Sequence, residues 1–140
     1  MTETSKSFLD SNIWLYALSD EDSEKSLAAR DLLRELSGGV HFSSQVVNET
    51  CLNLKKKSSM SEREIRLLIT SFFLNHRYIE MNENTLAFAS ELRDNHSFSY
   101  WDSLIVSAAL TAGADTLYSE DMQDGFVLEN KLKIVNPFKL

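Results

Sequence analysis

The chain switches again and again from a short β-prone apolar run to a helical pattern, and this alternation constrains its fold more than any other feature. The first unit is Phe8-Leu9-Asp10-Ser11-Asn12-Ile13-Trp14-Leu15-Tyr16, two apolar residues, an acid, a polar turn and an apolar helical start. Further short strands are predicted at Val40-His41-Phe42-Ser43, Tyr78-Ile79-Glu80-Met81, Thr116-Leu117-Tyr118-Ser119 and Lys133-Ile134-Val135. Helical patterns lie between them, over about 12–18, 23–37, 45–57, 61–76, from 82 or 84 onward, and 100–112. Strands that alternate with helices imply a mostly parallel sheet covered by helices on both faces. The expectation is one domain over residues 1–140, a three-layer α/β/α sandwich with four or five central strands.

Helix-boundary signals support this parsing. Ser61 and Glu64 have the spacing of a capping box, Ser99 is placed to cap the next-to-last unit, and Gly38-Gly39 and Gly113 follow helical runs as terminating glycines do. Leu27, Leu32, Leu33 and Leu36 form the apolar stripe expected of the second helix. Leu86, Ala89 and Leu92 do the same later. The run Trp101-Asp102-Ser103-Leu104-Ile105-Val106-Ser107-Ala108-Ala109-Leu110 is apolar on most sides, which predicts a buried helix.

Composition excludes several classes. No window is long and apolar enough for a membrane span, and Met1 to Lys6 lacks the pattern of a secretory leader. Cys51 is the only cysteine, so no internal disulfide forms, and a cytoplasmic location is the expectation. A net charge of −7 argues against a protein that wraps nucleic acid over a broad basic surface. The one concentrated basic stretch is Lys55-Lys56-Lys57, with Arg63 and Arg66 beyond it. It reads either as a phosphate-binding patch or as cations at the negative end of a helix.

Four acids fall where strands end or following helices begin, and in open α/β sheets ligands bind along that edge. Asp10 ends the first strand, Glu49 lies in the first turns of the helix after the second, Asp102 opens the buried helix, and Asp121 follows the fourth strand. Asp10 read alone serves equally as a helix cap. Carboxylates gathered at one place repel, so either some are protonated or a cation neutralises them. An oxygen-only donor set favours Mg²⁺ or Mn²⁺. His41, His76 and His96 have no metal-ligand spacing and read as surface or core histidines. A hard metal on carboxylates suits phosphodiester hydrolysis. Asn12 and Ser119 are placed either to orient a carboxylate or water, or to serve as cap and turn residues.

The ordered series FLDSNIWLYAL, QVVNE, YWDSLIVSAAL, LYSEDMQDG and IVNPF resembles the PIN domain family over nearly the whole chain. The resemblance implies a metal-dependent nuclease, in many members the toxin of a type II toxin–antitoxin module of the VapBC kind. It implies that Asp10, Glu49, Asp102 and Asp121 match the family's acidic quartet, as catalytic residues and metal ligands. Asn12 and Ser119 match its polar helper positions. The implied partners are an RNA substrate, a cognate antitoxin whose tail carries Arg or Lys, and a second copy of the chain. Many such toxins have Thr-x-Asp or Thr-x-Asn where this chain has Ser119-Glu120-Asp121. Asp121 is taken as the ligand, Glu120 as solvent-facing, and Asp124-Gly125 as a turn.

Three other readings stand beside this one. A PIN-like module without activity would bind RNA or protein, and an active one would serve housekeeping RNA processing. A phosphatase or phospho-acceptor with Asp10 as nucleophile is less well matched. A haloacid-dehalogenase-type phosphatase would want an aspartate where Asn12 stands.

Overall fold

The computed structural model describes residues 5–139. The expectation about a leader rests largely on residues 1–4, which lie outside the described residues. The elements run β1 (Ser7–Leu9), α1 (Ser11–Leu18), α2 (Glu24–Glu35), β2 (Val40–Phe42), α3 (Ser44–Ser58), α4 (Glu62–Asn75), β3 (Arg77–Tyr78), α5 (Glu83–Asn95), α6 (Tyr100–Thr111), β4 (Thr116–Tyr118), β5 (Val127–Leu128) and β6 (Leu132–Val135).

The sheet has six strands in the order β3-β2-β1-β4-β6-β5. All neighbours are parallel except β5 and β6. The expectation of four or five strands missed β5. A tight turn through Glu129 and Asn130, at φ of 53° and 56°, folds β5 back on β6. Glu-Asn carries none of the Asn-Gly or Asp-Gly signature of such turns, so the sequence gives no warning.

Side-chain caps start most helices where expected. Ser43, Ser61, Asn82 and Ser99 each accept a hydrogen bond from the backbone N–H three residues on, and Ser61 and Glu64 complete the capping box. The helices form two groups. α1 packs on α2 and α3, and α3 on α4, while α5 packs on α6. Right-handed crossovers put these groups on opposite faces of the sheet. Phe8, Leu9, Phe42, Leu117 and Ile134 from the strands meet Ile13, Trp14, Val46, Ile105 and Val106 from the helices in one core. Phe72 links the α4 side to it, its ring 4.7 Å from Trp14 and 5.3 Å from Phe42.

α6 is buried from Ser103 through Ala109, as its apolar run predicts. Its hydroxyls are satisfied inside: Ser103 donates to the Tyr100 carbonyl and Ser107 to the Thr85 carbonyl. Gly113 ends this unit at φ +76°, a left-handed conformation that favours glycine. Two stripe residues depart from expectation. Leu27 and Leu86 are about half exposed. α2 turns Ser26 and Ala29 inward, which swings Leu27 to its flank, and α5 turns Thr85, Ala89 and Leu92 inward, which leaves Leu86 beside them in solvent.

Candidate active site

β1 and β4 are neighbours, and the chain leaves them toward opposite ends of the sheet, which makes this the switch point of the topology. The β1–β4 ladder ends at Leu9 opposite Tyr118, and the next residue, Asp10, still donates its N–H to the Tyr118 carbonyl at 2.9 Å. Asp10 is the N-cap of α1: its Oδ1 accepts from the Ser11 N–H at 2.8 Å. Its Oδ2 accepts from the Ser119 hydroxyl at 2.8 Å. Ser119 Oγ also accepts the Asp121 N–H at 3.3 Å, so one hydroxyl ties the end of β1 to the turn after β4.

The other acids are held by polar neighbours of the same kind. Asn12 donates to Asp121 Oδ2 at 3.0 Å and accepts the Glu120 N–H at 3.3 Å. Glu49 accepts from the Ser11 hydroxyl at 3.3 Å and from the Gln45 amide at 2.8 Å. Asp102 is the third residue of α6, its N–H bonded to the Ser99 hydroxyl at 3.1 Å. The structure therefore brings all four acids, with Asn12 and Ser119, to one edge. Ser11 and Gln45 belong to this network and were not singled out from sequence. Their signals are adjacency to Asp10 and the four-residue spacing from Gln45 to Glu49 on one helix face.

Burial is the main cause of perturbed acidity here. It lifts the Asp10 carboxyl from 3.8 to about 6; hydrogen bonds from Ser119 and Ser11 oppose the rise, while the negative charges of Asp102 and Glu49 add to it. Asp102 is also raised, by burial first and then by the charge of Asp121, against a lowering hydrogen bond with Ser99. These couplings run from Glu49 through Asp10 and Asp102 to Asp121. Among the described residues, however, no group of three or more His, Cys, Asp or Glu stands close enough to form a ready metal cage. The donors here are carboxylate oxygens, the ligand chemistry that hard divalent cations take.

Glu120 corrects the expectation that it faces solvent. Its side chain is only 21% exposed, and it pairs with Lys25 at 2.5 Å and accepts from the Tyr16 hydroxyl at 2.9 Å. The turn after β4 folds back over α1, which aims Glu120 at Tyr16. Asp124-Gly125 is the expected turn, with Gly125 at φ +84°.

The basic run divides. Lys55 pairs with Glu62 at the start of α4. Lys57 instead lines a cavity of about 380 Å³ together with Asn12. Lys56 is exposed. His41 is buried at β2 and His76 packs edge-on to Trp14, while His96 lines a cavity with Asp102 and Asp121, its ring against Phe98 and Phe126.

A mostly parallel sheet with this strand order, and polar side chains braced at its switch point, defines an α/β/α fold of the PIN type. The chain belongs to the PIN domain family, whose family profile matches residues 7–124. Solved structures agree on the fold. A toxin–antitoxin complex from Klebsiella pneumoniae superposes with a TM-score of 0.73 at 16% identity, covering 96% of this chain and 100% of that one. VapC20 of Mycobacterium tuberculosis, a sarcin–ricin loop cleaving toxin, gives 0.65 at 16% identity over 80% of this chain and 87% of that one. FitAcB from Neisseria gonorrhoeae gives 0.63 at 17% identity over 96% and 99%. No curated protein matches this chain in sequence. No helix among the described residues is long and apolar enough to cross a membrane.

Proposed function

We propose that this protein is a metal-dependent endoribonuclease and the toxin of a toxin–antitoxin pair. The observation that carries the reading is Asp10, buried at the switch point, braced by Ser11 and Ser119, and within electrostatic reach of Glu49 and Asp102. A buried carboxylate whose pKa is raised among other carboxylates is costly to ionise unless a cation shares the place. Asp10, Glu49, Asp102 and Asp121 would hold Mg²⁺ or Mn²⁺, directly or through water. Such an ion, when bound, lowers the pKa of water and offsets charge on the phosphoryl group.

The chain's own residues do the positioning. Ser119 fixes the Asp10 carboxylate and Asn12 fixes Asp121, so both keep their orientation when a phosphodiester arrives. Ser11 and Gln45 do the same for Glu49. Lys57, beside Asn12, offers a cation to a neighbouring phosphate. The antitoxin reading draws on neighbours solved as toxin–antitoxin complexes. A tail bearing Arg or Lys would supply positive charge among the acids. Leu67, Phe73 and Leu74 on α4, with Tyr78 on β3, expose apolar area at one end of the sheet, which suits a contact with a second copy.

The open spacing of the acids favours one other reading, a PIN-fold module that binds RNA or protein without cleaving it. One experiment separates the two. Purified protein should cleave single-stranded or structured RNA in Mg²⁺ or Mn²⁺, and EDTA should stop it. Asp10→Asn should lower the rate by at least about 100-fold, as loss of a preorganised charged group does. RNA that stays intact with either ion, while still bound, selects the non-cleaving module.

A further inference from the structure

A third cavity, of about 520 Å³, is lined by Glu49, one of the four acids. Its apolar side chains include Met81, Leu86 and Trp101, and its polar ones Gln45 and Asn48. Trp101 is 64% exposed and Leu86 50%. Exposing so much of a Trp beside a second apolar side chain forgoes a large burial gain, and such a patch marks a binding surface. Trp101 directly precedes Asp102, and Gln45 spans from Glu49 Oε1 (2.8 Å) to the Trp101 carbonyl (3.4 Å). The groove and the acidic edge therefore share one framework. The Tyr100 ring meets the Trp101 ring edge-on at 5.4 Å, and the Arg93 guanidinium lies 4.2 Å over Tyr100. The indole is thus in contact with a neighbouring aromatic ring.

We propose that this groove is a nucleobase subsite, with Trp101 as the stacking platform and Asn48 as the group that reads the base edge. The inference rests on the reading of the acidic edge as an RNA-cleaving site, and it adds a determinant of substrate choice. Proteins that read single-stranded RNA stack unpaired bases on aromatic rings and hydrogen-bond their edges. The groove offers both parts. Asn48 lines the groove and is exposed, so its amide donors and acceptor can reach a base edge. Charge also selects the occupant. Glu49 lines the groove and no Lys or Arg does, which disfavours a phosphate and suits an uncharged base whose amino group donates. A base held here leaves the phosphate of the same strand to lie at the neighbouring carboxylates.

The test uses Asp10→Asn protein in Mg²⁺, so that RNA stays intact, and hexamers of A, C, G and U as probes. Of the two tryptophans, Trp14 is buried, so a change in emission on binding reports Trp101. Binding should quench that emission, and the affinities of the Trp101 variants, which lack this reporter, are read from the anisotropy of fluorescein-labelled hexamers. Trp101→Leu should weaken binding by about 5- to 150-fold, the weight of one base–aromatic stack, and Trp101→Phe should keep most of the affinity. Asn48→Ala should change the order of preference among the four hexamers. Affinity unchanged by Trp101→Leu overturns the proposal. So does a variant that binds RNA normally but loses an Arg- and Leu-bearing peptide, which would give the groove to a protein tail. Cleavage by the unmutated protein is scored separately. Cleavage with no effect of Trp101 removes only the subsite, and no cleavage with quenching intact removes only the nuclease.

Discussion

Asp10 and Asp102 look alike along the sequence and differ in the folded chain. Each stands at the start of a helix, where the dipole favours a negative charge. Asp10 is only 7% exposed, and both its oxygens accept hydrogen bonds from the protein. Asp102 is half-buried, and it is its backbone that the Ser99 hydroxyl caps. Burial raises both carboxyls, Asp10 to about 6. A site acid set in the core serves structure and chemistry together. One at the rim can serve chemistry with little structural duty.

The largest test of this contrast is the pH dependence of stability in EDTA. A carboxyl raised from 3.8 to about 6 binds more protons folded than unfolded between those values. Stability therefore falls as pH rises through that window, and the loss is complete above the folded value. The full difference corresponds to roughly 3 kcal/mol. Asp10→Asn cannot titrate. The stability of the unmutated protein relative to that variant should drop by roughly 2.4 kcal/mol between pH 4 and pH 7.5, because part of the full difference is already lost at pH 4, as followed by denaturant unfolding. A gap that stays flat with pH would place Asp10 with the rim acids.

Asp102→Asn should act in the same direction and less. Its charge is partly screened by solvent, so the gain in EDTA at pH 7.5 is on the order of 1 kcal/mol or below. That is a rise of a few degrees in melting temperature for a chain of this size. Adding excess Mg²⁺ should stabilise the unmutated protein more than the variant, because an ion that binds the native state adds stability that grows with the logarithm of its concentration over its dissociation constant. Melting below the unmutated protein in EDTA would make Asp102 a structural residue, which erases the contrast.

The smallest effect sharpens the same rule at the basic run. Lys55 is committed to Glu62, while Lys57 lines the cavity with Asn12. Lys57→Ala should reduce the slope of log affinity against log salt for single-stranded RNA by about 0.7, the share of one phosphate contact. Lys55→Ala should leave it unchanged. Equal effects would mean that the fold does not sort these lysines.

Much of the fold was legible because its signals are local. A Ser or Asn cap acts within three residues, so Ser61, Asn82 and Ser99 mark helix starts without knowledge of the rest. The seven-residue buried stretch of α6 follows from its apolar run alone. The exposure of Leu27 and Leu86 did not follow, since a stripe drawn on one helix cannot say which part of it the neighbour covers. At the edge, the sequence marked Asp10, Glu49, Asp102 and Asp121 by their place after strands or at helix starts and offered Asn12 and Ser119 as polar helpers, but it did not say which carboxylate each would hold. Ser119 meets Asp10 and Asn12 meets Asp121 across 109 positions of chain.

By itself, then, the sequence determined the alternation of strands and helices, their caps, and the placing of four acids at one edge. Tertiary structure alone decided the strand order, the β5–β6 hairpin, the pairing of Glu120 with Lys25 and Tyr16, and the separate fates of Lys55 and Lys57. The physical reason is range. Periodicity and capping are set by neighbours a few residues away, whereas burial, which raises Asp10 and leaves Trp101 in solvent, is fixed only when distant elements pack.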